Sequence, residues 1–274
     1  MNLRGELGPG RMKRKDTADP HIAEIYDQVE TQLDDLELIR RLIGSRTGQR
    51  IFEPFCGTGR LAIPLAQDGH RVIGMDEADA MLDRCRAKQR PLPADAAQRL
   101  TLIHREALAT DWPAGMDLVL LGGNCFYELE SADEQRQCIE RAAQSLKPGG
   151  FVFVDNDDHG SETLAESWQH PRGHVRKAFP SGVCADGTHI DGFTETRRFD
   201  VHRRLVHYVR RAVVTSSDGR TASYDWAETC HPVLEADVER WLVEASFTIL
   251  SIFGDRAGRP HGPGSPRAIF WASR

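Results

Sequence analysis

The chain has 274 residues, of which 40% are hydrophobic, and a formal net charge of −6 at pH 7. This length allows one sizeable core, or a core with a small appended lobe. The acidic balance gives no overall attraction for nucleic acid, and no apolar run approaches the roughly 20 residues needed to cross a bilayer. The six cysteines are scattered and form no CxxC pair. We therefore expect a soluble cytoplasmic enzyme with reduced thiols that binds neither nucleic acid nor membrane.

The amino-terminal part divides into a polar start and a helical segment. Residues 1–20 are polar and marked by glycine and proline, which predicts a disordered segment. The role of its basic run, Arg11–Lys15, stays open. From His21 to Ile43, apolar residues recur at steps of three and four, the period of a helix with one buried face.

Between residues 50 and 156, predicted strands alternate with predicted helices. The strands are RIFEP, RVIGMD, LTLIHRE, MDLVLLGGN and FVFVDN, and the helices are GRLAIPLAQDG, EADAMLDRCRAKQR and SADEQRQCIERAAQSL. We expect Pro64 to shorten or kink the first of these helices. The apolar run of MDLVLLGGN is typical of a strand buried on both faces. The alternation predicts a doubly wound α/β domain with a parallel sheet.

The pattern changes after the fifth strand. Residues 157–192 are polar with little periodicity, whereas residues 194–229 favour antiparallel strands joined by a hairpin turn at SSDGR. We interpret 157–232 as a β-rich insertion that covers the domain as a lid. The helix LEADVERWLVEAS and the strands FTILSIFGD and RAIFWASR then complete a mostly parallel seven-stranded sheet, with an antiparallel closing pair at its edge. The domain thus comprises residues 21–156 and 233–274.

A glycine-rich turn follows the first strand. Gly57, Gly59 and Ala62 satisfy the pattern G-x-G-x-x-A, which by itself fits a dinucleotide site. Glu53, four residues before Gly57, would repel a pyrophosphate but attract an ammonium group. Asp76 closes the second strand, where a carboxylate can accept both ribose hydroxyls. The ligand therefore has the features of a nucleoside with a cationic amino-acid tail.

Three motifs, in their order and spacing, resemble those of the class I S-adenosylmethionine-dependent methyltransferases: EPFCGTG, GMDEADAML and LKPGGFVFVD. The resemblance covers residues 45–156 and 233–274 and implies a Rossmann-like fold that binds S-adenosylmethionine. It implies that the loop glycines lie against the methionine moiety, that Asp76 binds the ribose, and that the segment REAL meets the adenine edge. The implied cofactor-binding residues are Glu53, Phe55, Cys56, Gly57, Gly59, Asp76, Glu77, Met81, Glu106, Ala107, Leu108 and Gly123.

The stretch GGNCFYEL, residues 122–129, resembles the G-N-x-F-x-x-L stretch of the glycine and sarcosine N-methyltransferases. That resemblance implies that Asn124 lies near the substrate amine, with Tyr127 either beside the sulfonium or in the core. The resemblance stops after the fifth strand, where Asp157 replaces the arginine that holds the substrate carboxylate in those enzymes. Either an arginine of the insertion takes that role, or the substrate is itself basic. We favour an amine or another cationic small molecule.

Two further residues complete the predicted catalytic side. His159 could act as a general base, because its neutral form is available near pH 7. Tyr26, on the amino-terminal helix, is a candidate for closing over the cofactor. The pair Asp155–Asn156 is similar to the Asp-Asn pair of cation-dependent catechol-type O-methyltransferases. The third ligand position falls near Gly122, which offers no carboxylate, so we predict no bound metal.

These features favour methyl transfer from S-adenosylmethionine to a small molecule, on a nitrogen of an amine or amino-acid-like compound. In-line displacement needs positioning more than acid–base groups. Four alternatives stay open: O-methyl transfer, cyclisation or aminocarboxypropyl transfer with the same cofactor, non-catalytic binding of that cofactor, and a nicotinamide-dependent oxidoreductase. The oligomeric state is unknown at this point.

Overall fold

The computed structural model describes residues 20–126, 129–158 and 175–274. The helices in these ranges are α1 (Pro20–Val29), α2 (Asp34–Ile43), α3 (Ala62–Gln67), α4 (Asp79–Gln89), α5 (Ala94–Arg99), α6 (Ala132–Ser145) and α7 (Glu235–Glu244). The strands are β1 (Arg50–Glu53), β2 (Arg71–Asp76), β3 (Leu100–His104), β4 (Met116–Leu121), β5 (Leu146–Asp157), β6 (Val175–Val183), β7 (His189–Asp200), β8 (Leu205–Thr215), β9 (Thr221–Cys230), β10 (Thr248–Phe253) and β11 (Arg267–Ser273). The segment 1–20, for which disorder is predicted, lies outside the described residues except for Pro20.

A seven-stranded sheet has the strand order β10-β11-β5-β4-β1-β2-β3. The first five strands pair in parallel, and β11 runs antiparallel to both β5 and β10. This confirms the predicted doubly wound, mostly parallel fold with its antiparallel closing pair. β10 forms the edge, and β11 lies between β10 and β5. The carboxyl ends of β1 to β5 therefore meet along one edge of the sheet, where ligands bind in such folds.

The central strand β4 is buried at all six positions, as its apolar sequence predicts. Val119 and Leu121 belong to a core cluster with apolar residues of α6 and α7. Leu118 and Leu120 belong to a second cluster, with residues of α2 and α3. Side chains alternate between the two faces of a strand, so the sheet is covered by helices on both sides. Pro64 lies in α3, whose six residues are fewer than the sequence segment suggested, which agrees with the expected shortening.

A second sheet is antiparallel, with the order β6-β7-β8-β9. The turn at residues 216–220 joins β8 to β9, which confirms the predicted hairpin. The sequence pattern missed β6, because Pro180 and Gly182 interrupt it. Proline is tolerated in β6 because this strand lies at the sheet edge. The limits proposed for the insertion, 157–232, remain a prediction.

The single helical segment predicted for residues 21–43 is two helices, with a break at residues 30–33. The acidic first turn of α2, which includes Asp34 and Asp35, favours a new helix start there. α1 packs on the four-stranded sheet through Ile22 and Ile25. Its Ala23 contacts the cluster around Met81 of α4. α1 thus connects the two sheets. No helix among the described residues is long and apolar enough to cross a membrane.

Candidate active site

The glycine loop, residues 54–59, follows β1 at the carboxyl edge of the sheet. Gly57 and Gly59 have φ angles of 52° and 79°, which residues with a side chain rarely adopt. A Cβ on Gly59 would also overlap the Sγ of Cys85 on α4, whereas nothing lies within 4 Å of a Cβ placed on Gly57. Gly59 therefore permits close packing inside the domain, and Gly57 leaves room beside the backbone.

Glu53 is the last residue of β1 and is only 6% exposed. Its Oε2 has no hydrogen-bond partner among the described residues. Burial raises the pKa of this carboxyl to about 8, against the opposing effect of Arg60. An unpartnered buried polar atom costs free energy. The position therefore suits a ligand that brings both positive charge and hydrogen-bond donors, as an ammonium group does.

Asp76, at the end of β2, holds the glycine loop in place. Its Oδ2 accepts a hydrogen bond from the Gly57 N–H at 2.9 Å, and its Oδ1 accepts one from the Ala78 N–H at 2.9 Å. A carboxylate oxygen can accept more than one hydrogen bond. Beside Asp76, Glu77 is exposed and Met81 is buried in α4. We call residues 53–59 and 76–81 the glycine-loop region.

The side chains of the two loop residues before Gly57 pack in the interior of the domain. Phe55 packs against the cluster that contains Phe52. Cys56 is 4% exposed, and its N–H donates to the carbonyl oxygen of Met75 at 2.9 Å. Burial raises the pKa of the Cys56 thiol well above its ordinary value. The thiol is therefore protonated and does not act as a nucleophile.

The segment 106–108 lies beside the glycine-loop region. The N–H of Arg105 donates to the carbonyl oxygen of Asp76 at 3.0 Å, which brings the ends of β2 and β3 together. Ala107 is buried. Arg141, on α6, donates to carbonyl oxygens of residues 107–110, including that of Leu108 at 2.7 Å. Sequence reasoning missed Arg141, because no local motif marks a helix residue that binds a distant loop.

The sequence also gave no sign of the role of Asp27 on α1. Its Oδ1 accepts hydrogen bonds from the Thr58 hydroxyl at 2.6 Å and from the Lys88 Nζ at 2.8 Å. Its Oδ2 accepts one from the Arg84 Nε at 2.8 Å. Burial opposes ionisation, but these bonds keep the pKa of Asp27 below its ordinary value. Asp27 therefore anchors α1 to both the glycine loop and α4.

Tyr26 is half-buried and packs with the cluster that contains Ala78 and Met81. Its ring makes an edge contact with Phe179 of β6, with centroids 6.4 Å apart. Tyr26 thus contacts the glycine-loop region on one side and the four-stranded sheet on the other. This position is compatible with the predicted role beside the cofactor.

Asn124 follows β4 in the left-handed backbone region, with a φ of 63°, which asparagine tolerates better than most residues. Its Nδ2 donates to the Asp157 Oδ2 at 2.9 Å, and its Oδ1 accepts the Asp157 N–H at 2.9 Å. Arg267 of β11 donates to the same Oδ1 at 2.7 Å and forms an ion pair with Asp157. The structure therefore brings Asn124 and Asp157 together. Gly123, just before Asn124, is exposed and also has a positive φ.

Asp155 lies behind this pair and is fully buried. Its oxygens accept hydrogen bonds from the Arg267 Nε at 2.6 Å and from the Arg256 Nε at 3.0 Å. These two arginines occupy the Asp155 carboxylate as ion-pair partners, which disfavours a metal-ligand role. Across the described residues, no group of three or more His, Cys, Asp or Glu side chains could hold a metal ion.

A buried ion pair continues this arrangement toward β1. Asp35 is 0% exposed and binds the Arg60 guanidinium with both oxygens, at 2.7 and 2.5 Å. Arg256 approaches Asp35 at 3.7 Å. Burial opposes ionisation of Asp35, but Arg60 and Arg256 keep the pKa of that carboxyl below its ordinary value. We call the following residues the arginine–aspartate network: Asp35, Arg60, Asn124, Asp155, Asp157, Arg256 and Arg267.

Two residues predicted for the catalytic side, Tyr127 and His159, lie outside the described residues. Among the described residues, the arginine beside Asp157 is Arg267, which comes from the carboxy-terminal part of the chain and not from the insertion. Arg267 is directly opposite Asp157 in the β5–β11 pairing. This cation was missed because its neighbourhood depends on the register of an antiparallel pair more than 100 residues apart.

The strand order and the position of the glycine loop define the class I fold of the S-adenosylmethionine-dependent methyltransferases. Residues 51–150, from β1 into β5, match the family model for a methyltransferase domain. The chain therefore contains a methyltransferase domain with the class I fold, which confirms the resemblance found in its motifs.

Relatives extend beyond the matched domain. A Geobacillus sp. (strain WCH70) protein named as a methyltransferase is 24% identical over 242 residues, which cover 84% of this chain and 87% of that protein. The ubiquinone biosynthesis O-methyltransferase of Bordetella avium (strain 197N) is 32% identical over 118 residues, or 43% of this chain and 46% of the relative. The match to that relative thus spans less than half of its length.

The fold is similar to that of a solved sugar N-methyltransferase from Streptoalloteichus sp. ATCC 53650. That structure superposes with a TM-score of 0.69 and covers 100% of this chain and 98% of its own. The identity is 15%, so this likeness concerns the fold alone. It includes the region of the four-stranded sheet as well as the methyltransferase domain.

Proposed function

We propose that this enzyme transfers the methyl group of S-adenosylmethionine to a nitrogen of a small-molecule amine. The observation that carries the cofactor part is the buried Glu53 carboxyl, which has an unpartnered Oε2 directly before the glycine loop. An ammonium group would supply the missing donor and would stabilise the ionised form of Glu53. A dinucleotide offers a pyrophosphate anion at this place instead, which would oppose ionisation of Glu53 and supply no donor to its Oε2.

The other cofactor contacts follow from the same region. Asp76, at the end of β2, would accept hydrogen bonds from the ribose hydroxyls, since a carboxylate oxygen can accept more than one. Met81 and Glu77 would flank the adenine, and residues 106–108 would meet its edge. Tyr26 would close the opposite side. S-adenosylmethionine, when bound, supplies a methyl group on a sulfonium that is already electrophilic.

The charges at the ends of β4 and β5 support a cationic or neutral acceptor. Arg267 is occupied by Asp155, Asp157 and Asn124, so its donors are not available for a substrate carboxylate. The Asp157 side chain is 44% exposed and keeps a negative edge toward solvent. A protonated amine is attracted to such an edge, whereas a carboxylate is repelled.

The chain's contribution to the reaction is to position the acceptor. Asn124 is held by three hydrogen bonds from and to Asp157 and Arg267, so its amide has one orientation. A rigid polar wall of this kind can orient a nucleophile for in-line attack, and such positioning can supply roughly 7–11 kcal/mol. An amine that arrives protonated must first lose that proton to solvent or to a base, because only its neutral form has a lone pair for the attack.

O-methyl transfer is the second candidate, because the ubiquinone biosynthesis relative acts on oxygen by name and is 32% identical over the matched part. Nitrogen is favoured by two points. The match to the sugar N-methyltransferase fold covers the complete chain. In addition, a neutral amine is already a nucleophile and needs no strong base for the attack.

The test is a methyl-transfer screen with S-adenosylmethionine and a panel of amines, phenols and carboxylic acids, read by mass spectrometry. We expect S-adenosylhomocysteine and an N-methylated product in equal amounts, with no methylthioadenosine. If only phenols are methylated, the acceptor atom is oxygen and not nitrogen. Methylthioadenosine as the product would replace methyl transfer by another use of the cofactor.

Calorimetry separates the remaining alternatives. Tight binding of NAD with no response to S-adenosylhomocysteine would contradict the proposal at the level of the cofactor. Tight binding of S-adenosylhomocysteine with no turnover across the panel would favour a non-catalytic binding protein.

A further inference from the structure

Asn156 is a buried amide that no described residue satisfies. It lies one residue before the end of β5, opposite Ala268 of β11, and is 1% exposed. Neither its Oδ1 nor its Nδ2 has a hydrogen-bond partner. The roles assigned above to Asp155 and Asp157 leave this residue unexplained.

The side chain of Asn156 points to the face of the sheet opposite to the arginine–aspartate network. Alternation along β5 places it on the face of Val152 and Val154, which pack in one cluster with Phe126 and Val233. Phe126 belongs to the loop after β4, two residues beyond Asn124. Val233 belongs to the segment that returns from the four-stranded sheet. Asn156 thus lies at the carboxyl end of β5, on the side that Phe126 covers. We call residues 122–126, which follow β4, the acceptor loop.

A second buried amide on this face, that of Gln135, has a structural role. Gln135 of α6 is 0% exposed. Its Nε2 donates to the carbonyl oxygens of Phe126 and His231, each at 2.7 Å, and its Oε1 is 2.7 Å from the His231 Nδ1. Gln135 therefore joins the acceptor loop to the segment after β9. The two amides have the same chemistry, but only Gln135 has protein partners for both of its polar atoms.

The difference has an energetic consequence. Burying an amide without hydrogen bonds costs free energy, whereas an apolar residue of similar size costs nothing of that kind. A valine or leucine would continue the apolar pattern of Val152 and Val154 on this face. An amide at position 156 therefore costs the free protein free energy, and a ligand that supplies its partners would recover that cost.

We propose that Asn156 binds the methyl acceptor and selects one that carries a neutral polar group beside the nucleophilic nitrogen. The amide offers a donor and an acceptor at once, and a hydroxyl group satisfies both. The matching substrate class is an amine that also bears a hydroxyl. This inference rests on the proposed N-methyl transfer and adds the part of the substrate that the enzyme recognises.

The experiment compares Asn156→Leu with the wild type on a hydroxylated amine and its deoxy counterpart, with 2-aminocyclohexanol and cyclohexylamine as the first pair in the amine panel. We expect Asn156→Leu to raise KM for the hydroxylated amine about tenfold or more, which corresponds to two neutral hydrogen bonds. KM for the deoxy amine should change less than about twofold, below the effect of one such bond. The affinity for S-adenosylhomocysteine should stay unchanged.

Thermal unfolding gives a readout that does not depend on turnover, and Gln135→Leu is the matched control. We expect Asn156→Leu to unfold at the same or a higher temperature than the wild type, because an unpartnered amide is removed. Gln135→Leu should unfold at a lower temperature, because it leaves two carbonyl oxygens and a histidine without their partner.

Two results would overturn the role of Asn156. One is a fall in the unfolding temperature of Asn156→Leu as large as that of Gln135→Leu, since the amide would then have partners in the free protein. The other is an equal change of KM for the hydroxylated and the deoxy amine. Failure of the wild type to methylate any amine would instead overturn the proposed function, and with it the inference.

Discussion

The glycine-loop region and the arginine–aspartate network lie at neighbouring strand ends, but the chain builds them differently. The glycine-loop region comes from two short segments on the adjacent strands β1 and β2. It contains a buried carboxyl, that of Glu53, with an unpartnered oxygen. The network joins residues from position 35 to position 267, and its charged groups partner one another. The glycine-loop region can therefore bind a charged ligand, whereas the arginine–aspartate network is a rigid support.

This comparison predicts two kinds of mutant. Changes in the network should act mainly on folding and on the acceptor, because its groups bind each other. Changes in the glycine-loop region should act mainly on cofactor affinity. The following predictions test this division, beginning with the largest expected effect.

Asp35→Ala should reduce the free energy of unfolding by about 3–5 kcal/mol, because the buried guanidinium groups of Arg60 and Arg256 lose the Asp35 carboxylate as a partner. Urea denaturation followed by circular dichroism measures this change. The control is Asp34→Ala, which removes a neighbouring carboxylate that is 56% exposed and 3.3 Å from Arg256. The control should lose less than about 1 kcal/mol. Equal losses in both variants would show that the network is not a buried support.

Asp76→Ala should weaken S-adenosylhomocysteine binding by about ten- to hundredfold. It removes a charge-assisted acceptor, worth about 1.5–3 kcal/mol, and releases the Gly57 N–H that Asp76 now holds. Titration calorimetry measures the affinity, and circular dichroism confirms folding. Asp83→Ala, which removes an exposed carboxylate of α4 outside the glycine-loop region, is the control and should bind normally. Unchanged affinity in folded Asp76→Ala would remove Asp76 from the ribose role.

Glu53 should release a proton when S-adenosylhomocysteine binds. Its pKa is raised to about 8 by burial, so the carboxyl is mostly protonated in the free protein at pH 7, and an ammonium ligand favours the ionised form. The affinity should therefore rise as the pH increases from 6 to 8, by up to about tenfold per pH unit. Calorimetry in two buffers with different ionisation enthalpies counts the released protons.

Glu53→Gln is the control for this proton release. The variant has no titrating group at position 53, so the release should disappear and the affinity should lose its pH dependence below pH 8. Proton release that persists in Glu53→Gln would assign it to another group. No release in the wild type would contradict the ammonium contact.

Asp157→Asn should have the smallest effect. The amide can keep a hydrogen bond to Asn124 but removes a partly exposed charge, and such charges contribute about 0.2–1 kcal/mol. We expect KM for a cationic amine to rise about two- to fivefold, with unchanged S-adenosylhomocysteine affinity. Steady-state kinetics at two salt concentrations measures this, since added salt should reduce the difference. A lower KM would show that Asp157 does not attract the acceptor.

Individual residues show which parts of the candidate site can be predicted from the sequence. Glu53, Gly57 and Asp76 were found because a turn next to a strand needs special residues at fixed spacings. Asp27 and Arg141 were missed because each acts from a helix on a loop far away in the chain. β6 was missed because Pro180 and Gly182 disrupt the strand pattern at an edge where the sheet tolerates them.

The same contrast applies to Asp157. Read alone, it is an uncompensated acid where an arginine is expected, but the structure pairs it with Arg267. No spacing rule connects the two residues, because their contact depends on how β11 pairs with β5. The sequence therefore indicates the charged neighbours of a residue within one loop. It does not indicate those that lie on a neighbouring strand whose register is unknown.

The amino-acid sequence by itself determined the parallel sheet, the glycine loop with its two acids, and hence the class of enzyme. These features depend on apolar periodicity and on backbone conformations within a few residues. The tertiary structure alone shows that Asp27 anchors α1 to the loop, that three arginines pair with the acids of the network, and that no described residue is a hydrogen-bond partner of the buried Asn156 side chain. Each of these depends on contacts between distant segments, which form only when the complete core packs.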